Sequence, residues 1–143
     1  MYLVDANILI YAANSESPHH PKAADWLAAA LDGPGQTVGL PWASLFAYLR
    51  LGSSPQLYRR PPSPADILDV IDDWLDRPAA WIPAPGPRHG AHLKTQLREG
   101  AVTSRLVSDA HLAALAVEHA LTVVTADRDF GRFGGVKSLN PLA

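Results

Sequence analysis

The chain has 143 residues, of which 48% are hydrophobic, and its net charge is −2. This length predicts one globular domain, 1–143, with enough residues to bury a core. No apolar run approaches the roughly 20 residues that a membrane-spanning helix needs, so we expect no membrane association. The chain contains no cysteine, which excludes disulfides and thiolate metal sites and agrees with a cytoplasmic location. Because Met1 leads directly into an apolar run, we also expect no signal peptide.

The first third of the chain alternates short apolar runs with helical patterns. Tyr2–Val4 is predicted to be a strand, and a short helix over Ile8–Ala13 follows, with Asn7 as its capping residue. A helix with one apolar side is predicted over Pro21–Leu31. After the Gly-Pro-Gly stop, a strand is predicted at Thr37–Leu40. The predictions continue with a very apolar helix at Trp42–Leu51.

The remainder repeats this alternation. Ser63 is predicted to cap a helix that runs to Asp76, with a proline in its first position. The next predicted elements are a strand at Ala80–Ile82, helices at Arg88–Arg98 and Ser108–Ala120, a strand at Leu121–Thr125 and an edge strand at Val136–Leu139. Alternating strands and helices predict an α/β fold of three layers, with a central parallel sheet of four to five strands flanked by helices.

Aspartates follow two of the buried strands. Asp5 comes directly after the first strand, and Asp127 and Asp129 come after the strand at Leu121–Thr125. Open parallel sheets place ligands at the carboxyl ends of their strands. Asp109 opens an apolar helix, where an uncompensated charge is costly. We therefore expect these four carboxylates to meet at one end of the sheet, although each alone is also consistent with capping or turn formation.

A cluster of carboxylates stays ionised most easily around a hard cation such as Mg²⁺ or Mn²⁺. We predict that Asp5, Asp109 and Asp127 bind the metal and that Asp129 assists directly or through water. Such a site supports hydrolysis of a phosphodiester by a metal-activated water, without a side-chain nucleophile. Asn7 and Thr125 are candidates to hydrogen-bond the ligands. For both, capping and turn formation are equally good interpretations.

Charge is distributed unevenly along the chain. Of the 14 acids, four belong to the proposed site and five lie in one predicted helix, so the remaining surface is net basic with 12 Lys and Arg. This permits a polyanionic partner without requiring one. Candidates for contacts to backbone phosphates are Arg59, Arg60, Arg88, Lys94, Arg98 and Arg105.

Three motifs carry a family resemblance. They are V-D-A-N at Val4 to Asn7, L-V-S-D-A-H-L-A-A-L-A at Leu106 to Ala116, and T-A-D-R-D-F at Thr125 to Phe130. Their order and spacing resemble the PIN domain, and more narrowly the VapC-type ribonuclease toxins of toxin–antitoxin pairs. The resemblance implies a metal-dependent endoribonuclease that cleaves RNA, forms a homodimer and is inhibited by a cognate antitoxin. It also implies that Asp5, Asp109, Asp127 and Asp129 are the acidic positions.

The chain departs from the resembling family at one position. Those proteins usually carry a Glu in the helix after the second strand, but this chain has no acid between Asp32 and Asp66. The matching position is near Ser44 to Tyr48, with Ala47 as the best alignment. This puts a complete second metal site in doubt. The alternative is therefore a PIN-like module, weakly active or inactive, that binds RNA or a partner protein.

The apolar surface of two helices exceeds what such a pair usually buries. The resemblance places the antitoxin there, near Trp26, Leu27, Trp42, Leu45, Phe46 and Leu49. The histidines are weaker candidates: His89 and His92 have no identifiable partners for a zinc site, and His111 is an ordinary helix position or a substrate contact. A phosphoacceptor receiver domain is disfavoured because no lysine follows the late strand at Val124.

Overall fold

The computed structural model describes residues 1–143 as five strands and six α-helices. In chain order these are β1 (Tyr2–Val4), α1 (Ala6–Ala13), α2 (His20–Leu31), β2 (Val38–Gly39), α3 (Trp42–Gly52), α4 (Pro64–Leu75), β3 (Ala80–Trp81), α5 (His89–Glu99), α6 (Val107–His119), β4 (Thr122–Val124) and β5 (Ser138–Leu139). Two 3₁₀ helices, Ser104–Leu106 and Arg128–Arg132, precede α6 and follow β4. Every predicted element is present, with ends shifted by a few residues.

All five strands are parallel, in the order β3-β2-β1-β4-β5. From β1 the chain adds β2 and β3 on one side and then returns to add β4 and β5 on the other. The point where this direction reverses, between β1 and β4, opens a crevice at the carboxyl ends of the strands. Val4 pairs with Val124 in this register, so the residues after both strands emerge at the same edge.

Two apolar cores cover the two faces of the sheet. Val4 packs with 13 other buried residues, mainly from α1, α2, α3 and α4, whereas Leu3 packs with nine others, mainly from α6. Alternate residues of a strand point to opposite faces, which explains why neighbours in β1 belong to different cores. This arrangement confirms the three-layer α/β fold. No helix in the structure has both the length and the apolar character needed to cross a membrane.

One predicted cap is correct and another is wrong. Ser63 accepts a hydrogen bond from the Asp66 N–H and Asp66 reaches back to the Ser63 N–H, which completes a capping box at the start of α4. At α1, however, the capping residue is Asp5 rather than Asn7, and the helix begins at Ala6. Asp5 has extended backbone, with ψ at 153°, and its carboxylate accepts from the Ala6 N–H at 2.7 Å. Asn7 is thereby left inside the helix.

Candidate metal centre

The centre lies at the carboxyl end of the sheet, where β1 and β4 end side by side. The Asp5 N–H bonds to the Val124 carbonyl at 3.0 Å, so Asp5 is held by the last backbone hydrogen bond between β1 and β4. Thr125 and Asp127 follow β4 at the same edge. Asp109 arrives from the first turn of α6. The predicted convergence of distant segments is therefore present.

Three carboxylates form the tightest group. Asp109, Asp127 and Asp129 each contribute an oxygen, and these oxygens lie within 4.8 Å of one another. Carboxylate oxygens gathered in this way are the ligands that a hard cation such as Mg²⁺ or Mn²⁺ prefers. Asp129, for which only an assisting role was predicted, is a member of this group.

Asp5 lies beside this group and is already hydrogen-bonded through both oxygens. One accepts from the Ala6 N–H at 2.7 Å, and the other accepts from the Thr125 hydroxyl at 2.8 Å and weakly from the Asn7 amide at 3.4 Å. Only 9% of Asp5 is exposed. A carboxylate oxygen has lone pairs to spare, so these bonds orient Asp5 and leave it able to accept a further cation or water.

Thr125 and Asn7 connect the two strand ends. Besides donating to Asp5, the Thr125 hydroxyl accepts from the Asn7 amide at 3.2 Å and from the Asp127 N–H at 3.0 Å. The side-chain oxygen of Asn7, Oδ1, accepts from the Ala126 N–H at 3.3 Å. Asp127 in turn accepts from the Asp129 N–H at 2.8 Å, which orders the turn that carries both acids. Thr125 and Asn7 therefore orient acidic side chains by direct hydrogen bonds.

Burial and repulsion from neighbouring carboxylates raise the pKa of two of these acids, Asp109 and Asp5. Burial, followed by the charges of Asp5, Asp127 and Asp129, raises the pKa of Asp109 from 3.8 to about 6. Burial is also the main cause that raises the pKa of Asp5, while its hydrogen bonds from Thr125 and Ala6 act in the opposite direction. A bound divalent cation would favour the ionised form of each.

Two arginines partly balance the cluster. The guanidinium of Arg132 is 3.7 Å from Asp129 and that of Arg105 is 3.9 Å from the same carboxylate. Both arginines are exposed, so these ion pairs are weak and leave the charged heads free to exchange partners. Arg105 was among the predicted phosphate contacts, whereas Arg132 was not singled out in the sequence.

The residues present fit a hard divalent cation. The donors are carboxylate oxygens, there is no cysteine, and the cluster combines raised acid pKa values with hydrogen bonds that orient the ligands. Asp109, Asp127 and Asp129 would hold the ion, with Asp5 adjacent. The sequence prediction that Asp5 is itself a ligand stays a prediction.

A groove of about 1000 Å³ opens over Asp5 and Asp109, with α3 as one wall and α5 and α6 as the other. Ala47, the position aligned with the missing Glu, lines this groove, so an acid there would face the site. Ser44 lines it too, one turn earlier in α3, and its buried hydroxyl has no hydrogen-bond partner. The α3 side of the groove therefore has no carboxylate; besides Ala47 and Ser44 it is lined by Ala43, Phe46, Leu49 and Arg50.

Sequence reasoning missed a second polar cluster next to this groove. His111 lines the groove and contacts His89 at 3.0 Å between Nδ1 and Nε2, and His89 Nδ1 lies 3.7 Å from Glu118. Burial and the neighbouring His89 lower the pKa of His111. The spacing of His111 and Glu118 on one helix was visible in the sequence, but their meeting with α5 was not. His89 and His92 are in no group of residues that could hold a metal, so the structure gives no support to a zinc site there.

The structure exposes only part of the surface predicted to receive the antitoxin. Trp42 and Phe46 are 39% and 63% exposed on α3, with ring centroids 5.4 Å apart, and both are accessible to a partner. Leu27 and Leu45 are not, because they are 2% and 0% exposed in the apolar core. Leu27 and Leu45 lie on the sides of α2 and α3 that face the sheet, so a partner cannot reach them. Trp26 and Leu49 are half-buried against the same core, with Trp26 packed edge-on against Tyr2.

Comparison with known proteins identifies the family. The PIN domain family profile matches residues 2–136. The ribonuclease VapC37 of Mycobacterium tuberculosis is 43% identical over 143 residues, covering 100% of this chain and 99% of the relative. The ribonuclease VapC25 of the same organism is 34% identical and covers 99% of both chains.

Solved structures agree on the fold. A Rickettsia felis VapBC2 complex bound to a DNA fragment from its promoter superposes with a TM-score of 0.68 at 18% identity, covering 97% of each chain. A DNA-bound VapBC from Salmonella typhimurium gives 0.64 at 16% identity, with 98% of this chain and 97% of the other covered. At these identities the likeness establishes the fold alone. Together with the sequence matches, it confirms the predicted resemblance: this chain belongs to the PIN domain family and, within it, to the VapC-type ribonucleases.

Proposed function

We propose that this protein is a divalent-metal-dependent endoribonuclease that acts as the toxin of a toxin–antitoxin pair. The observation that supports this most directly is the convergence of Asp109, Asp127 and Asp129 within 4.8 Å beside Asp5, at the base of an open groove. The naming of its relatives as ribonucleases supports RNA as the substrate class. Bound in this cluster, Mg²⁺ or Mn²⁺ would lower the pKa of a water that attacks the phosphodiester.

The residues of this chain have separable tasks. Asp109, Asp127 and Asp129 supply the negative charge that holds the ion, and Asp5 accepts a proton or orients the water from the wall of the crevice. Thr125 keeps Asp5 and the Asp127 backbone in place through its 2.8 and 3.0 Å hydrogen bonds. Arg105 and Arg132, which lie 3.9 and 3.7 Å from Asp129, can turn toward the phosphates of an entering strand.

An antitoxin is the proposed protein partner. Trp42 and Phe46 form a paired aromatic surface on α3 that continues into the groove through Phe46 and Leu49. An apolar segment of a partner that covers this surface would also block the entrance to the acids. The inhibitory contact is therefore placed on the exposed side of α3 and excludes Leu27 and Leu45. Substituting Trp42→Glu, at an exposed position outside the groove, should prevent co-purification with the antitoxin while leaving RNA cleavage intact.

Homodimerisation remains a proposal that follows from the family. Light scattering of the purified chain tests it, with a mass of about twice the 15.3 kDa of one chain as the expected result.

The proposed activity is tested by RNA cleavage in Mn²⁺ with the native protein and with Asp5→Asn. Asparagine caps helices as well as aspartate does, so α1 and the fold should persist while the charge is lost. The matched control is Asp69→Asn on the exposed side of α4. We expect cleavage by the native protein and by Asp69→Asn, none with EDTA, and a near-complete loss for Asp5→Asn. RNA binding without cleavage by the native protein would favour the non-catalytic module, for which the absence of an acid at Ala47 is the motivation.

A further inference from the structure

The groove has a polar wall that the proposed hydrolysis does not use. Glu118, His89 and His111 form a line that leads from α6 and α5 into the groove beside Asp109. The side chains of His89 and Glu118 are each 12% exposed, so the first two members of the line are shielded from solvent. In such a shielded environment, electrostatic interactions between polar groups are stronger than in water, so the position of each proton matters.

The donor and acceptor roles along this line follow from the Glu118 carboxylate at its far end. Glu118 is fixed because one of its oxygens accepts from the Gly86 N–H at 3.0 Å. His89 Nδ1 is 3.7 Å from that oxygen, within ion-pair distance but beyond hydrogen-bond distance, and it has no hydrogen-bond partner. A bare nitrogen lone pair facing a carboxylate is repelled, whereas an N–H facing it is attracted. In the neutral ring, therefore, His89 carries its proton on Nδ1 and presents a lone pair on Nε2.

Only one placement of the proton is then compatible with the 3.0 Å contact between His89 and His111. Because Nε2 of His89 is the acceptor, Nδ1 of His111 must be the donor. With its proton on Nδ1, the neutral His111 ring keeps a lone pair on Nε2. That atom makes no hydrogen bond within the chain and is not buried, and the residue lines the groove. His111 thus offers a free hydrogen-bond acceptor on a residue that lines the groove, two positions after Asp109.

We infer that His111 reads the ribose 2′-hydroxyl of the substrate and that Glu118 and His89 set its tautomer for that purpose. Among the sugar-backbone groups of a nucleic acid strand, phosphate oxygens only accept, and the 2′-hydroxyl is the one that donates. Because a phosphate oxygen has no proton to donate, the hydroxyl is the backbone group that fits the Nε2 acceptor of His111. His111 is then a specificity residue that favours RNA over DNA, and His89 and Glu118 are positioning residues. The inference rests on the proposed ribonuclease activity.

The first test does not require activity. Long-range ¹H–¹⁵N spectra of the ¹⁵N-histidine-labelled native protein, at about pH 8 where histidine is neutral, report the tautomer of each ring. We expect His89 and His111 both with the proton on Nδ1. In Glu118→Gln the carboxylate charge is absent, so the bias at His89 should be lost. A proton on His111 Nε2 in the native protein would overturn the inference, whatever the protein does to RNA.

The second test pairs protein and substrate variants. Oligoribonucleotides with one 2′-deoxy substitution per position are cleaved in Mn²⁺ by the native protein and by His111→Asn. Asparagine keeps a donor toward His89 and removes the Nε2 acceptor. We expect one position where the deoxy substitution lowers kcat/KM by about fivefold in the native protein and not at all in His111→Asn, the loss of one hydrogen bond. Glu118→Gln should give an intermediate ratio.

The outcomes of this second test separate the two proposals. If the native protein does not cleave RNA, the proposed function fails and this inference fails with it. If cleavage occurs but no deoxy position depends on His111, only the specificity role is wrong. If His111→Asn slows cleavage of every oligonucleotide by the same factor, His111 is structural and the inference is again wrong. The matched control is His19→Asn, since His19 is exposed far from the groove.

Discussion

Two acidic regions of the molecule contain similar numbers of aspartates but differ in the burial of those aspartates and in whether their side chains converge. Five exposed aspartates lie on α4 and at its C-cap, around an apolar stripe: Asp66, Asp69, Asp72, Asp73 and Asp76. At the sheet edge, four aspartates converge from β1, α6 and the turn after β4, and burial with mutual repulsion raises the pKa of Asp109 to about 6. The comparison shows that acid content does not make a metal site. What matters is whether side chains are directed at one point and denied water.

The largest difference should appear in metal binding. Replacing Asp109 by Asn removes one of the three converging carboxylates proposed to hold the ion, so Mn²⁺ affinity measured by isothermal calorimetry should fall by at least about a hundredfold. Asp72→Asn on α4 serves as the control and should bind Mn²⁺ like the native protein. An unchanged titration profile for Asp109→Asn would remove Asp109 from the site.

The hydrogen bonds behind the ligands should have the next largest effect. Thr125→Val conserves shape but leaves the Asp127 N–H and the Asn7 amide without their 3.0 and 3.2 Å partner. We expect Mn²⁺ affinity to fall by about tenfold and the free energy of unfolding to fall by about 1–3 kcal/mol.

Thr95→Val is the matched control, because the exposed Thr95 hydroxyl bonds only to the Ala91 carbonyl of its own helix. It should leave metal affinity unchanged. Equal effects of the two substitutions on metal binding would show that Thr125 has no specific part in the site.

Electrostatic repulsion at the sheet edge should be visible in the metal-free protein as a pH dependence. The pKa of Asp109 is raised in the folded state from 3.8 to about 6, so folding favours its protonated form. Its contribution to stability is present below about pH 4 and is lost as the pH rises through about 6. Asparagine carries no charge, so Asp109→Asn removes the destabilisation caused by the ionised carboxylate. The free energy of unfolding at about pH 7.5 should therefore rise by about 1–2 kcal/mol.

Denaturant melts at about pH 5 and pH 7.5, with EDTA, measure this difference. Asp69→Asn should follow the pH profile of the native protein. Saturating Mn²⁺ should stabilise the native protein more than Asp109→Asn. A native protein that gains stability from the ionisation of Asp109 would contradict the repulsion assigned to the cluster.

The smallest effect is expected from the other acidic region. Ser63→Ala removes the hydroxyl half of the capping box at the start of α4 and should lower the free energy of unfolding by about 0.5–1 kcal/mol. Metal affinity should not change, since α4 is separate from the carboxylate cluster. Calorimetry and denaturant melts on one sample give both quantities. A change in Mn²⁺ affinity would mean that the two regions are coupled and that their contrast is overstated.

Several features of the site were predictable because they depend on local rules. Two buried apolar runs that end in Asp5 and near Asp127 had to emerge at one edge once the strands were parallel. Ala47 was correctly expected to leave the α3 side of the site without an acid, and it lines the groove. The prediction that Asn7 caps α1 was wrong because Asp5 and Asn7 are equally good capping residues. Asp5 is the cap because its N–H is bonded to the Val124 carbonyl at the end of β1 and β4, so the helix begins directly after it.

The sequence by itself determined the order of strands and helices, because apolar periodicity and stop residues act over a few positions. It also determined that acids would gather at one end of the sheet. Only the tertiary structure decided that Asp129 belongs to the tight group, that Leu27 and Leu45 are buried, and that Glu118, His89 and His111 form a line into the groove. These depend on how α3, α5 and α6 pack against the sheet, and the direction of a side chain between packed helices has no signature in local sequence.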